Sequence, residues 1–317
     1  MTQLVFSPSP HVHTPRTTRG VMLTVLLALL PATACALWYF GLPALEVLLL
    51  SVGTCVFTEW FVTKYMLGRP NTIGDFSAVV TGVLLALCLP SSLPWWATVA
   101  GGMVSIGIAK MAFGGLGCNI FNPALVGRVF LLISFPVAMT SWPLPDPGFG
   151  DADGVTGPTV LELLKHGADS ESFLRGEMLV GYMGGSMGEV FSLGLLAGFL
   201  YLWFMRIVKI HIPLAMILGL AVVDVFAGFP IGLDIISGGF LLGAFFMATD
   251  YVSSPMTARG MWVYGILIGI ITAVIRRWGA YPEGVSFAIL LMNGATPLIN
   301  RYMRPRRFSP KRKEVGA

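Results

Sequence analysis

Two stretches of this sequence share a pattern that decides the predicted fold: DFSAVVTGVLLALCLPSSLP at residues 75–94 and DIISGGFLLGAFFMATDYVSSP at residues 234–255. Both begin with aspartate, continue through Gly-x-Leu-Leu followed by Ala or Gly, and end close to a Ser-Ser pair and a proline. Each apolar run is short for a membrane-spanning helix and contains glycine, as in the broken helices of transporters. The pattern predicts an internal repeat.

The composition of the chain indicates a membrane protein. Of its 317 residues, 55% are hydrophobic and 11% are charged, whereas soluble domains carry about 25% charged residues. A spanning helix needs about 20 mainly apolar residues. We therefore predict an all-α, polytopic membrane protein with ten spans, at residues 20–40, 46–67, 74–90, 94–112, 123–142, 187–207, 212–229, 234–249, 260–276 and 283–300.

The basic residues predict how these spans are oriented. If the N-terminus is inside, the inner segments hold 16 of the 20 Lys and Arg residues, and cytoplasmic loops carry such an excess. We therefore expect both chain termini in the cytoplasm and an even number of spans. The two repeat copies are third in successive blocks of five spans, and five is odd. The copies thus cross the membrane in opposite directions, as two inverted five-helix halves.

This topology divides the chain into five regions. They are a cytoplasmic N-terminal segment (1–19), a first membrane half (20–142), a long outer loop (143–186), a second membrane half (187–300) and a basic cytoplasmic tail (301–317). The tail adjoins a membrane span, so we expect it to face lipid headgroups. The sequence contains no motif typical of nucleic-acid binding.

The outer loop contains the first candidate site, a tight turn at residues 153–159 with the sequence DGVTGPT. The residues of interest are Asp153, Gly154, Thr156, Gly157 and Thr159. Backbone N–H groups in such turns can form a concave binding site for phosphate. From the residues alone, an ordinary polar turn is the favoured interpretation.

Two further candidate segments lie on the predicted inner side. The first, GGLGCNIFNPALVGR at residues 114–128, has three glycines before a helix that begins at Pro123, which suits the close approach of a ligand to the backbone. The second is MATDYVSSPMT at residues 247–257. We predict a membrane flavin or ion site from Asn119, Asn122, Arg128, Thr249 and Asp250. Glu59, Asp75 and Asp224 are further carboxylates at or within spans, where acidic groups usually have a role.

The cysteine and histidine residues predict no metal site. The four cysteines have no CxxC spacing, and Cys118 alone cannot hold an iron–sulfur cluster. The four histidines are not placed for haem or zinc.

In this order, GGLGCNIFNPALVGR, DGVTGPT and GAFFMATDYVSSPMT resemble the family that contains the D subunit of the Rnf electron-transport complex and, more distantly, the B subunit of the sodium-translocating NADH:quinone reductase. The resemblance runs from about Ser7 to the end of the last span. It implies FMN joined by a phosphoester to Thr159, the last residue of an Asp-x-x-(Ser/Thr)-Gly-Ala-Thr segment, and attached outside the cytoplasm by a flavin transferase. Pro158 departs from this pattern, where the family usually has Ala.

The resemblance also implies a non-covalent riboflavin in the membrane domain and a urea-transporter-like fold. The chain would then be a flavin-carrying subunit of an ion-translocating oxidoreductase complex in a bacterial inner membrane. It would pass electrons between ferredoxin and NAD(H) partners, coupled to Na⁺ or H⁺ transport. Its expected partners are the other subunits, especially the FMN-bearing G subunit and the membrane iron–sulfur A and E subunits. Two alternatives remain open at this stage: a small-solute channel or secondary transporter, and a scaffold that only anchors partners.

Overall fold

The computed structural model describes residues 16–69, 72–145, 156–165, 184–279, 281 and 283–303, and the regular structure in these residues is helical. This confirms the all-α prediction. The helices of the N-terminal half are α1 (Thr18–Phe61), α2 (Ser77–Leu87), α3 (Trp95–Met103), α4 (Pro123–Ser134) and α5 (Pro136–Thr140). π-Helical turns extend α1 through Val62–Met66 and α3 through Val104–Met111.

The remaining helices are α6 (Val160–Lys165), α7 (Ser192–Phe204), α8 (His211–Ala227), α9 (Ile231–Ile236), α10 (Phe240–Leu242), α11 (Ala258–Trp278) and α12 (Val285–Tyr302). A π-helical turn at Gly243–Met247 extends α10. Each of the ten predicted spans coincides with helical residues. Among the described residues, Thr18–Met66 and Ala258–Trp278 are the helices long and apolar enough to cross a membrane by themselves.

Helix α1 contains two helical segments rather than one. Its 44 residues extend roughly 66 Å at 1.5 Å per residue, about twice the apolar thickness of a bilayer. Gly41 has φ 59° and ψ −138°, which breaks the helical path between residues 18–40 and 42–61. Only glycine adopts such a conformation at low cost. The first two predicted spans therefore correspond to two helical segments that meet at Gly41.

The outer face of α1 has the polarity expected of a surface in lipid. Large apolar side chains point away from the protein, and Leu27, Leu49 and Phe57 are each more than half exposed. The polar Ser51 and Glu59 on the same helix are buried. Soluble proteins rarely expose so large an apolar face. This distribution indicates a membrane environment.

Small residues let the helices pack closely in the C-terminal half. A Cβ on Gly265 of α11 would lie 2.8 Å from the Ile212 carbonyl oxygen of α8, and a Cβ on Gly269 would lie 2.7 Å from the Leu220 amide nitrogen. Small residues at such contacts are typical of helix association in membranes, where close van der Waals packing replaces the hydrophobic effect. This contact brings α8 and α11 together, and both carry charged site residues.

The two repeat copies both form short helices that follow a left-handed residue. Phe76 (φ 62°) precedes α2, and Gly239 (φ 64°) precedes α10. A left-handed conformation is unusual for phenylalanine, and the Asp75 carboxylate stabilises this turn by accepting from the amide and hydroxyl of Ser77 at 2.8 and 2.6 Å. The predicted eighth span is thus divided into α9 and α10, with the break at residues 237–239.

Candidate functional site

Residues 156–165 of the predicted outer loop are held against the residues that follow α5. Thr156 forms an isolated antiparallel bridge with Pro143, and the Gly157 amide donates to the Trp142 carbonyl at 3.1 Å. A Cβ on Gly157 would lie 2.9 Å from the Leu144 side chain. Glycine therefore permits this approach, and the turn has a defined position on the membrane domain.

Thr159, the predicted flavin acceptor, is 5% exposed and directly precedes α6. Its hydroxyl oxygen accepts a hydrogen bond from the Glu162 amide at 3.3 Å, and its carbonyl accepts from the Leu163 amide at 3.0 Å. This is the capping role expected of threonine at a helix N-terminus. Asp153 and Gly154, the other two predicted residues of the turn, lie outside the described residues.

Helix α6 packs on the break in the eighth predicted span. Val160 and Leu164 form a buried cluster with Leu233 of α9, and Leu161 contacts Gly238. A side chain at residue 238 would collide with Leu161, so glycine is required for this contact. The loop segment that carries Thr159 is thereby joined to the broken helix.

A cavity of about 90 Å³ brings together four of the five residues predicted for the membrane site. Asn119, Asn122, Thr249 and Asp250 all line it, and α1, α2, α7 and the α3 extension contribute to its wall. The polar lining also includes Ser77, Thr81, Lys110 and Tyr251, among mainly apolar side chains. A largely apolar cavity with a few polar groups is typical of cofactor sites.

The two asparagines of this cavity have different roles. Asn122 caps α4 by accepting from the Ala124 amide at 3.0 Å, and its amide group donates to the Met247 carbonyl at 3.2 Å. Asn119 donates to the Phe121 carbonyl at 3.1 Å. Its Oδ1 atom is buried and has no hydrogen-bond partner in the described part of the chain. This free acceptor is available to a bound molecule.

Thr249 and Asp250 follow the π-helical turn at the end of α10. The Thr249 hydroxyl donates to the Phe245 carbonyl at 2.7 Å, so its hydrogen is already used within the helix. The Asp250 carboxylate accepts from the Ser253 hydroxyl at 3.1 Å and stabilises the turn that follows. Both side chains border the same cavity as the two asparagines, although a long stretch of sequence separates the two motifs.

A buried ion pair lies next to this cavity. The Lys110 ammonium donates to the Glu59 carboxylate and to the Ser77 hydroxyl, each at 2.6 Å, and the Lys110 and Glu59 side chains are 2% and 1% exposed. The second Glu59 oxygen accepts from the Thr72 hydroxyl at 2.8 Å. We call Glu59, Ser77 and Lys110 the Lys110 site.

A second buried charge group lies near the contact between α8 and α11. The same Arg277 nitrogen donates to Asp224 at 2.8 Å and to Asp234 at 2.5 Å, and both aspartate side chains are 0% exposed. Arg276 donates to the backbone carbonyls of Asp234 at 2.5 Å and Ser237 at 3.0 Å. We call Asp224, Asp234 and Arg277 the Arg277 site.

The two ion-pair sites occupy matching places in the predicted repeat. Glu59 lies on the second predicted span and Lys110 on the fourth, while Asp224 lies on the seventh and Arg277 directly after the ninth. Each site also includes a residue from the copy of the repeat itself. The sequence identified the carboxylates Glu59 and Asp224, but not their basic partners.

Arg128, the fifth residue predicted for the membrane site, lies apart from the cavity. Its guanidinium pairs with Glu283, and the two side chains are 5% and 11% exposed. Glu283 and the buried Glu189 were not among the residues predicted from the sequence. Asp75 was identified as a carboxylate at the start of a predicted span, and Glu189 and Glu283 also lie at the start of predicted spans.

The fold and these sites define a class: an α-helical membrane protein with two broken helices, buried ion pairs and a structured loop. Such features are typical of membrane proteins that move ions or electrons. Residues 5–309 match the model of the NQR2, RnfD, RnfE family. The chain belongs to this family.

Individual relatives support the family assignment over nearly the whole chain. The chain is 46% identical to the D subunit of the Na⁺-translocating ferredoxin:NAD⁺ oxidoreductase complex of Acetobacterium woodii, covering 96% of this chain and 94% of the relative. It is 41% identical to the D subunit of the proton-translocating ferredoxin:NAD⁺ oxidoreductase complex of Clostridium ljungdahlii, covering 96% of each. It is 42% identical to the D subunit of an ion-translocating oxidoreductase complex of Stutzerimonas stutzeri, covering 91% of each.

Proposed function

We propose that this protein is the membrane-embedded D subunit of an ion-translocating ferredoxin:NAD⁺ oxidoreductase complex, with FMN covalently attached to Thr159. The observation that carries the proposal is the match of nearly the whole chain to subunits of that name. Those names give Na⁺ for one relative and H⁺ for another at similar identity. The coupling ion is therefore Na⁺ or H⁺, and similarity does not choose between them.

The local chemistry of Thr159 suits a phosphoester. The hydroxyl oxygen caps α6 as an acceptor, a role that an ester oxygen retains, and the O–H hydrogen is not part of that bond. The bonds that fix the segment use the amides of Gly157 and Leu163. Pro158, which has no amide hydrogen, is therefore compatible with the arrangement.

The lining of the inner cavity supports it as the site of the non-covalent riboflavin. Its volume of about 90 Å³ is below the roughly 300–1,000 Å³ usual for ligand sites, so the surrounding side chains must move apart to admit the flavin. The free Oδ1 atom of Asn119 can accept from a ring or ribityl donor, and the Lys110 ammonium borders the same space. We assign Asn119, Asn122 and Lys110 to holding the flavin, with Thr249 and Asp250 at the rim.

Bound flavin supplies one- and two-electron transfer, and the protein supplies position, electrostatics and exclusion of water. Lys110 binds Glu59 and the first residue of α2, and Arg277 binds Asp224 and the first residue of the broken eighth span. Two flavin sites connected by such helices suit a subunit that relays electrons and couples them to ion movement. Coupling requires two conformations of different energy, and broken helices form the binding sites around which the two halves of such folds move.

The proposed topology has ten spans in two inverted halves of urea-transporter-like fold, in a bacterial inner membrane. Its support is the helical residues in each of the ten spans and the matching positions of the Lys110 and Arg277 sites. Both termini lie in the cytoplasm and the Thr159 loop lies outside, as the distribution of basic residues predicts. The partners are the other complex subunits, especially the FMN-bearing G subunit and the membrane iron–sulfur A and E subunits, together with membrane lipid.

Denaturing gel electrophoresis tests covalent attachment. Protein from cells with the flavin transferase should give a fluorescent band, and peptide mass spectrometry should show an FMN mass addition on Thr159. Thr159→Ala should abolish both signals, while the control Thr140→Ala, at an exposed threonine outside the turn, should retain them. An unchanged band in Thr159→Ala refutes attachment at this residue.

The second site is tested separately by measuring the riboflavin that acid extraction releases from the protein. Asn119→Leu should lower the riboflavin released from the purified complex at least several-fold and leave the covalent fluorescent band unchanged. Thr33→Val, in a polar position of α1 away from the cavity, is the control. If the Asn119→Leu complex retained its full riboflavin content, this cavity would be excluded as the riboflavin site. Solute flux through vesicles containing flavin-free chain would favour the channel alternative.

A further inference from the structure

The buried charges near the break in the eighth predicted span do not balance. The acidic members are Glu189, Glu283, Asp224 and Asp234, and the basic members in the described part of the chain are Arg128, Arg276 and Arg277. Arg276 and Arg277 are balanced by the two aspartates, which lie 3.7 and 2.5–2.8 Å from them. One arginine therefore remains for two glutamates.

The direct partner of this arginine is Glu283, not Glu189. Arg128 pairs with one oxygen of Glu283, and the other oxygen, Oε1, is buried with no hydrogen-bond partner in the described part of the chain. Glu283 is itself only 9% exposed. We call Arg128, Glu189 and Glu283 the Glu189 cluster.

Glu189 is closely enclosed by its surroundings. It is 3% exposed, and its Oε1 accepts from the Ser186 hydroxyl at 2.6 Å. A Cβ on Gly185 would lie 2.6 Å from Oε2, and a Cβ on Gly239 would lie 3.2 Å from Oε1 and 3.5 Å from Arg128 Nη1. Glycines at these two positions thus admit a carboxyl group into a space with no room for a hydration shell.

A buried charge without a counter-charge is strongly unfavourable, and a carboxyl group so placed is neutralised. Two carboxylates that share one site cannot both remain ionised without a second cation. The groups facing Glu189 are Glu283, Arg128, Arg276 and the Cys88 thiol. Arg276 is already engaged by Asp234, so among the described residues a single positive charge serves the two glutamates.

We propose that the glutamates of the Glu189 cluster bind one proton, held on the Glu189 carboxyl group. Glu189 is the member of the pair that Arg128 does not contact directly, so neutralising it breaks no ion pair among the described residues. A proton needs only one carboxyl oxygen, whereas Ca²⁺ or Mg²⁺ requires a shell of about six or more oxygen ligands. The site is thus a proton-binding carboxyl pair in the interior of the membrane domain.

A chain of contacts connects the Glu189 cluster to the loop segment that carries Thr159. Gly239 contacts Glu189, and its neighbour Gly238 contacts both Leu161 of α6 and Arg276. If the proposed FMN attachment holds, this is a short path in the described residues from the flavin loop to a titratable group. Proton binding itself does not depend on FMN.

Infrared difference spectroscopy of the assembled complex in lipid vesicles tests the proposal. The wild-type spectrum should contain the C=O band of a buried protonated carboxyl group, in Na⁺-free and in Na⁺-containing buffer alike. Glu189→Gln, which keeps the size of the side chain and can still accept from Ser186, should lose one such band. Glu162→Gln, on the exposed side of α6, is the matched control and should retain it.

A second variant separates proton binding from a packing role. In Glu283→Gln the single Arg128 is left with Glu189, which should ionise, so the same band should disappear although Glu189 is unchanged. The Glu283→Gln variant also tests the proposal if the complex with Glu189→Gln fails to assemble. Retention of the full band in either variant overturns the proposal. A wild-type band that appears only when Na⁺ is removed would also overturn it and assign the site to Na⁺. Thr159→Ala should keep the band, so this result is independent of flavin attachment.

Discussion

Replacing Lys110 by methionine should destabilise the membrane domain strongly. Methionine keeps much of the length of the side chain but removes the charge that faces Glu59 at 2.6 Å and the donor to Ser77. Both side chains of the pair are 2% exposed or less, so water cannot replace the ammonium group. In the described part of the chain, the Glu59 carboxylate then retains the hydrogen bond from Thr72.

The size of the effect follows from removing one partner of a buried ion pair, which costs about 3–5 kcal/mol. Replacing both partners with neutral groups of similar volume is often neutral or stabilising. Lys110→Met should therefore cost about 3–5 kcal/mol. The double variant Glu59→Gln/Lys110→Met should lie within about 1 kcal/mol of the wild-type protein, since no charge is left unpaired.

Unfolding of the purified protein in mixed lipid–detergent micelles by added SDS, followed by circular dichroism, measures these free energies. Lys209→Met is the control, because Lys209 is exposed and its loss should cost no more than about 0.5 kcal/mol. Additive effects of the two single substitutions, with no recovery in the double variant, would refute the argument. They would mean that Glu59 and Lys110 do not compensate each other.

Three further predictions concern the second ion pair, helix packing and the acceptor turn. Arg277→Met should destabilise the protein more than Lys110→Met in the same SDS titration, because one guanidinium holds two buried aspartates; a smaller loss would contradict this. Gly127→Ala should cost about 1–3 kcal/mol, because a Cβ there would lie 2.8 Å from a backbone carbonyl of α3. Gly53→Ala, which meets nothing within 4 Å, should be neutral, and equal effects would refute the packing argument. Pro158→Ala should leave the covalent flavin fluorescence unchanged, whereas a several-fold change would show that the proline controls attachment.

The sequence predicted the helices well because their signal is local. Apolar runs of sufficient length have few alternatives to a helix in a membrane, where backbone groups must pair within their own segment. Every predicted span coincides with helical residues for this reason. The breaks within the helices could not be predicted from the sequence. They occur at Gly41 in α1 and between α9 and α10 in the eighth span, and they depend on single residues and their packing.

The sequence motifs also predicted several of the polar residues that line the inner cavity. Asn119 and Asn122 belong to one quoted motif and Thr249 and Asp250 to another, and all four line the same space. Arg128 shares the first motif but is directed elsewhere. It lies on α4, where it pairs with Glu283, and nearly two helical turns at about 3.6 residues per turn separate it from Asn122.

By itself the sequence determined the membrane class, the helical segments, the family and the segment that contains Thr159, since these follow from composition, local pattern and motif. Only the tertiary structure decided which charges pair. Lys110 meets Glu59 across 51 positions of sequence and Arg128 meets Glu283 across 155, and such contacts depend on how helices are arranged. Burial and partner choice decide whether a carboxyl group is a solvated surface group or a proton site. The repeated stretches at Asp75 and Asp234 were visible in the sequence, but the ion pairs at their ends were not, because each pair is completed by a different helix.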